Sequence, residues 1–319
     1  MKIPIVFAFD DRYALPASIA ISSLLKHRNF DTEYDIIVLY GNLSEKTISK
    51  MGCVCPYIRW IKVCDFFSNA PISENWPISV YYRLLIADVV KEYDKIIWSD
   101  VDVLFRGDLT EIYNMDLSDY DWAGVVAERQ DEKNGVHTHF KSNSKPYIYM
   151  SGFMLINAKQ WRNKNMLSRF FQTIKDFNSE LKMFDLDVLN LSVDKILEIP
   201  FNYCVLENIF DYPINLAPEY PWLSHVYSDA ELQEAKANPK IIHYAGRNPK
   251  IWNRAYTEIS KEYFSYIETS PFYNKDYFFP TNIVYLKSFF LWLCLKLMPI
   301  KTFRKKLKRM RKSLYNVKR

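Results

Sequence analysis

Only seven glycines occur in the 319 residues, and they form neither a Gly-x-Gly-x-x-Gly fingerprint nor a Gly-x-x-x-x-Gly-Lys loop. Two common backbone cradles for phosphate are therefore excluded, and any nucleotide must be held another way. The five cysteines (Cys53, Cys55, Cys64, Cys204 and Cys294) are odd in number and lack metal-site spacing, and no signal-like segment precedes the apolar run Ile5–Phe9. A reducing cytoplasm is the expected location. Acidic residues are absent from Thr281 to Arg319, whereas twelve of the 42 Lys and Arg lie there, leaving thirty bases against 37 acids in residues 1–280. The net charge of +5 thus divides into an acidic body and a basic tail. That distribution argues against a nucleic-acid protein and for a localised anionic partner of the tail.

What is present begins with hydrophobic content, 49% of the chain, enough to bury a sizeable core in one large domain or two smaller ones. Apolar runs alternate with helix-like segments: Ile3–Phe9 then Ala14–His27, Asp35–Tyr40 then Ser44–Met51, Ile58–Cys64 then Ser79–Val90, and Lys95–Ser99. This βαβ pattern predicts an α/β fold with a mostly parallel sheet covered by helices on both faces, binding ligands beyond the C-terminal strand ends. Further strands are expected at Trp122–Val126 and Ser151–Ile156, with one helix from Ala158 to about Phe177.

Three Asp-x-Asp pairs occur: Asp100/Asp102, Asp119/Asp121 and Asp185/Asp187. Context separates them. Asp119 and Asp121 lie in a polar turn, and Asp185 and Asp187 open a helix-like stretch where acids suit the N-terminal dipole. Asp100 and Asp102 instead leave the apolar strand Lys95–Ser99, where two adjacent carboxylates call for a divalent cation.

The tail has two parts. Ile283 to Met298 is mostly apolar, but Lys287 and Lys296 fall on opposite sides of a helix, which argues against a transmembrane span. From Ile300, apolar residues at Phe303, Leu307, Met310, Leu314 and Val317 recur at steps of three and four among Lys and Arg. This is the pattern of a basic amphipathic helix, either docked on the acidic body or lying on an anionic membrane surface; the density of bases favours the membrane.

Taken in order, Phe7-Ala8-Phe9-Asp10-Asp11-Arg12-Tyr13, Tyr81-Tyr82-Arg83-Leu84, Asp100-Val101-Asp102, Ser151–Asn157, Asp185–Asn190 and His243-Tyr244-Ala245-Gly246 resemble the motifs of family 8 retaining glycosyltransferases, especially the bacterial galactosyl- and glucosyltransferases of lipopolysaccharide assembly. The resemblance spans roughly residues 3–255. It implies a GT-A fold (Rossmann-like), so that residues 1–280 are expected to form the catalytic domain and residues 281–319, from their own composition, the membrane-association tail. It implies further that Asp100, Asp102 and His243 ligate Mn²⁺ (or Mg²⁺) gripping the diphosphate of a UDP-sugar. Asp10 matches the acceptor of the uracil N–H, Tyr13 a ring stacked on the base, Arg83 an arginine beside the diphosphate and donor sugar, and Lys250 a phosphate-neutralising lysine. Ala8, Val101 and Gly246 belong to the same nucleotide-binding set, and Asp185 matches a carboxylate that orients the donor sugar. Read without the resemblance, Asp10 or Asp11 caps a helix, Arg83 makes a surface salt bridge, His243 is a core histidine and Asp185 an N-cap.

Three positions depart from the family pattern: Met150 and Arg12 stand where it has Asn, and Leu186 where it has Gln. Leu186 cannot act as a nucleophile, so the implied chemistry is front-face substitution. The sequence thus points to a metal-dependent retaining hexosyltransferase moving glucose or galactose from UDP to a glycan, lipopolysaccharide or other lipid-linked acceptor, peripheral on the inner face of the cell membrane. Two alternatives stand beside it. Ile96–Val103 also resembles the nucleophile motif of haloacid-dehalogenase-type phosphotransferases, with Asp100 as nucleophile, although that motif normally starts a domain. Met150 and Leu186 alternatively mark a catalytically impaired nucleotide-sugar-binding membrane protein.

Overall fold

Lys2–Ala8 (β1) and Glu33–Tyr40 (β2) are buried along almost their whole length, as strands covered on both faces must be. The computed structural model describes residues 1–63, 66–72, 77–129, 147–211, 223–245, 250–253, 259–274 and 283–297. Its remaining strands are Arg59–Lys62 (β3), Lys95–Ser99 (β4), Val103–Phe105 (β5), Trp122–Arg129 (β6), Tyr147–Asn157 (β7), Ile196–Glu198 (β8), Val205–Leu206 (β9) and Ile241–His243 (β10).

Seven strands form one sheet in the order β3-β2-β1-β4-β7-β6-β8. Pairing is parallel across β3-β2-β1-β4 and between β6 and β8, and antiparallel where β7 meets β4 and β6. Successive residues send their side chains to opposite faces. Ile3, Ile5, Phe7, Ile36, Val38 and Ile97 enter one core layer, with the helix Ala14–Lys26, while Val6, Ile37, Leu39, Ile96 and Trp98 enter the other, with Trp161 and Phe170. This is the mixed α/β, mostly parallel arrangement expected from the sequence. Strand order runs outward from β1 to β3 and then returns to β4 on the other side of β1. The crevice at that reversal, beyond the C-terminal ends of β1 and β4, is where such a sheet binds ligands.

A second sheet, β5-β10-β9, decides which distant residues meet there. Antiparallel pairing sets His243 opposite Val103, the residue after Asp102, and parallel pairing sets it beside Leu206. The Tyr244 N–H donates to the Asp102 carbonyl at 2.8 Å and extends the contact.

Two helical expectations need correction. Ile78–Leu85 is a 3-10 turn and only Ile86–Val89 is α-helical. Val80, Tyr81 and Tyr82 are β-branched or aromatic, and Arg83 donates from Nε to the Val80 carbonyl at 3.0 Å, so the tighter turn wins. The single helix expected from Ala158 to Phe177 is two, Ala158–Asn163 and Met166–Phe177, divided at Asn165, whose φ of 49° takes the backbone out of the right-handed helix. The apolar part of the tail forms a helix over Ile283–Leu297, with Leu286, Phe290 and Leu297 exposed. Among the described residues no helix is long and apolar enough to cross a membrane. The basic amphipathic segment from Ile300 onward lies outside the described residues.

Candidate functional site

Where β4 ends, the Asp100 N–H donates to the Gly152 carbonyl of β7 at 2.7 Å, turning the Asp100 side chain into the crevice. Asp102 follows at the root of β5, and β10 delivers His243. One ligand atom from each of these three residues lies within 4.8 Å of the others. His243 Nε2 is 3.0 Å from Asp102 Oδ1 and 3.7 Å from Asp100 Oδ2. Lys250 donates to Asp102 Oδ2 at 2.8 Å and to the Tyr244 carbonyl at 2.7 Å. Burial pushes the Asp102 carboxyl up, but Lys250 and His243 outweigh it and hold the group well below the usual range. For His243, burial opposes charge, yet Asp102 and Cys204 outweigh it and raise the imidazole above its ordinary value.

Arg83 occupies the other side of Asp100. It is buried, donates to Asp100 Oδ1 at 2.8 Å and to the Ser151 carbonyl, and pairs through Nε with Asp185 Oδ2 at 3.1 Å. The surface salt-bridge reading of Arg83 is thereby excluded. Asp185 opens the helix Asp185–Ser192 and is buried; its Oδ2 also accepts from the Ser151 hydroxyl at 2.9 Å, while Oδ1 has no hydrogen-bond partner among the described residues. Burial, reinforced by Asp100 and opposed by Arg83, raises the Asp185 carboxyl to about 6.

The remaining candidates fall around this pair. Ala8, half-buried, ends β1, and Val101 is buried between the two aspartates. Asp10 accepts from the Arg12 N–H at 3.0 Å and from the Arg12 guanidinium at 2.9 and 2.7 Å, so it caps the 3-10 turn Asp11–Tyr13 and is ion-paired by the residue standing where the family has Asn. Tyr13 lies edge-to-face on Trp252 with centroids 5.7 Å apart, and Lys250 Nζ is 5.4 Å from the Trp252 ring centre. Leu186 packs on the core layer that contains the buried Met150. Gly246 lies outside the described residues.

The other Asp-x-Asp pairs are not brought here. Asp119 is exposed, but Asp121, read from the sequence as part of a polar turn, is fully buried and accepts from Lys164 and from the Lys195 N–H. Asp187 is buried and binds the Lys182 and Met183 N–H groups.

Trp98, Ser151, Gly152 and Cys204 were not singled out from sequence as site residues. The Arg83 guanidinium lies 4.6 Å from the Trp98 ring centre, and Trp98 Nε1–H donates to Asp100 Oδ1 at 3.3 Å. Ser151 and Gly152 sit inside a recognised motif. Trp98 reads as one more apolar strand residue, and Cys204 carries no signal in the sequence.

The model for glycosyl transferase family 8 matches residues 4–255. The chain belongs to glycosyl transferase family 8. It is a glycosyltransferase by that membership. A Haemophilus influenzae protein named as a glycosyltransferase is 26% identical over 193 residues, 58% of each chain, so the match spans little more than half of that relative. The lipopolysaccharide 1,2-glucosyltransferase of Escherichia coli is 24% identical over 283 residues, 85% of this chain and 79% of the relative. Among solved structures, that of the galactosyltransferase LgtC in complex with donor and acceptor sugar analogs superposes with a TM-score of 0.70 at 22% identity, covering 86% of this chain and 99% of that one. At that identity the superposition establishes the GT-A fold.

Proposed function

We propose that the chain is a metal-dependent, retaining hexosyltransferase that moves glucose or galactose from a UDP-sugar to a glycan acceptor. The observation that carries the reading is the convergence of Asp100, Asp102 and His243 at the sheet's reversal point in a family 8 chain. Two carboxylates and an imidazole fit a hard divalent ion such as Mn²⁺ or Mg²⁺. When bound, the ion supplies positive charge to the diphosphate as the glycosidic bond breaks. Arg83 and Lys250, both cationic and both at the triad, bind and orient phosphate oxygens. Asp185, with one carboxylate oxygen held by Arg83 and Ser151 and the other without a partner among the described residues, orients a hydroxyl of the donor sugar. Asp10 and Tyr13 hold the uracil, Asp10 by accepting its N–H on a lone pair that Arg12 leaves free, and Ala8, Val101 and Gly246 line the nucleotide. With Leu186 in place of a polar side chain, the acceptor hydroxyl attacks the face that UDP leaves, and a phosphate oxygen takes the proton.

The acceptor is a lipopolysaccharide or another lipid-linked glycan, a reading supported by the Escherichia coli relative. Residues 1–280 form the catalytic domain. Residues 281–319 hold it peripherally on the cytoplasmic face of an anionic membrane, as the exposed Leu286, Phe290 and Leu297 and the ten bases from Lys301 onward favour. No observation favours the phosphotransferase alternative: Asp100 follows the fourth strand, not the first, and is ion-paired to Arg83.

Release of UDP from UDP-glucose and UDP-galactose with and without Mn²⁺ tests the reading. Asp102→Asn should fold and lose at least about a hundredfold in turnover, because one lost carboxylate weakens the hold on the divalent ion that offsets the charge of the departing diphosphate. Asp119→Asn should retain parental turnover. Equal activity of both variants would remove Asp100-Val101-Asp102 from the reaction.

A further inference from the structure

The backbone of His243 is fixed by two ladders, to β5 and to β9, yet ladders leave the ring free to turn about χ2, a torsion that is broad and two-fold for histidine. Its edges are nevertheless held on three sides. Nε2 is 3.0 Å from Asp102 Oδ1. The Cε1 edge faces Gly152, where a Cβ would stand 2.4 Å from Cε1, 2.9 Å from Nδ1 and 3.2 Å from Asp100 Oδ2. On the remaining side Nδ1 lies 3.4 Å from the sulfur of Cys204, a buried free thiol between the 3-10 turn Phe201–Tyr203 and β9.

We propose that Gly152 and Cys204 are positioning residues that aim His243 Nε2 into the space between Asp100 and Asp102, an inference that rests on the metal reading above. When Nε2 presents its lone pair to a metal ion, the ring hydrogen sits on Nδ1 and needs an acceptor. Ligating histidines ordinarily find one in a carboxylate or carbonyl. Here the acceptor is sulfur, which both accepts and donates weakly, so it partners Nδ1 whichever nitrogen carries the hydrogen. A ring turned over by 180° would point Cε1 at Asp102 and lose both contacts. Gly152 acts differently: the absent side chain is the room in which the ring edge and Asp100 Oδ2 approach one another. A methyl group there meets a rigid ring and a carboxylate ligand together, and one of them must move.

The test uses the full chain and Mn²⁺ alone, with free ion followed by electron paramagnetic resonance and the His243 ring nitrogens followed by ¹⁵N NMR in the metal-free protein. Cys204→Val keeps the bulk and removes the hydrogen bond; Cys204→Ser keeps a donor and acceptor. Cys204→Val and Gly152→Ala should each raise the Mn²⁺ Kd about tenfold, with Cys204→Ser within about threefold of the parent. Parental Mn²⁺ affinity in Cys204→Val, or equal weakening in Cys204→Val and Cys204→Ser, would overturn the hydrogen-bond role. Should Gly152→Ala not fold, the cysteine pair decides. A parent that binds no Mn²⁺ sinks the metal reading instead, and the NMR arm then judges the orientation: an Nδ1 shift unchanged in Cys204→Val overturns it, and a shift moved only in that variant supports it.

Discussion

Asp185 carries its charge where burial opposes it, and the consequence is measurable apart from turnover. Its carboxyl is raised to about 6 from an ordinary value near 3.8. Between those values the folded chain holds a proton that the unfolded chain has released, so this group's contribution to stability falls as pH rises through the window and is lowest above it. The shift corresponds to about 3 kcal/mol. Asp185→Asn lacks the term. Relative to the parent, the variant should gain stability as pH goes from 4 to 7, while UDP release at pH 7 falls. Thermal unfolding of both proteins across that range checks the sign, and a difference that does not grow with pH would show that Arg83 already compensates the charge. At this scale the sequence makes the candidate ligands legible because their residue types have few other uses after an apolar strand. It does not reveal the roles of Ser151 or Cys204, which consist of contacts to residues far away along the chain: Ser151 to Asp185, Cys204 to His243.

Among elements, the long buried strands are legible because a continuous apolar run followed by an amphipathic one has few alternatives. β4 is Lys95–Ser99 as the sequence predicts, and β1 and β2 differ from expectation only at their ends. Short elements are another matter. β5 and β9 have three and two residues, too few for any periodicity, and β10 shows only as the short strand-like run Lys240–Ile242 before His243, although the three bring Asp102, Cys204 and His243 together. The break at Asn165 is likewise hard to read, since left-handed backbone at a single residue leaves only a weak trace in composition. That break gives its own prediction. Asn165→Gly should leave stability unchanged or raise it slightly, whereas Asn165→Val, β-branched at positive φ, should lower it by about 1–2 kcal/mol. Urea unfolding midpoints check this; a neutral Asn165→Val would mean that the two helices can join without a left-handed residue between them.

Over the whole molecule, the proposed function has the division of charge separate catalysis from location, and truncation tests it. Removing residues 281–319 should leave a folded body that still releases UDP, because the family match ends at residue 255. Sedimentation with anionic vesicles should be lost on truncation. For the full chain it should weaken with salt yet not vanish, since basic residues supply a screened attraction and the apolar helix Ile283–Leu297 a salt-tolerant one. Equal sedimentation of the truncated and full chains would make the tail a part of the fold. Sequence alone determined the α/β class, the ends of β1 and β4 as the candidate binding edge, the candidate acids and the polarity of the tail, because each follows from local periodicity, residue type or charge. Tertiary structure decided that Asp121 and Asp187 serve the fold, that Arg83 is a buried bridge between Asp100 and Asp185, and that His243 meets Asp102 at 3.0 Å. Those outcomes depend on which strand pairs with which, and strand pairing is settled by the packing of the entire chain, not by any segment of it.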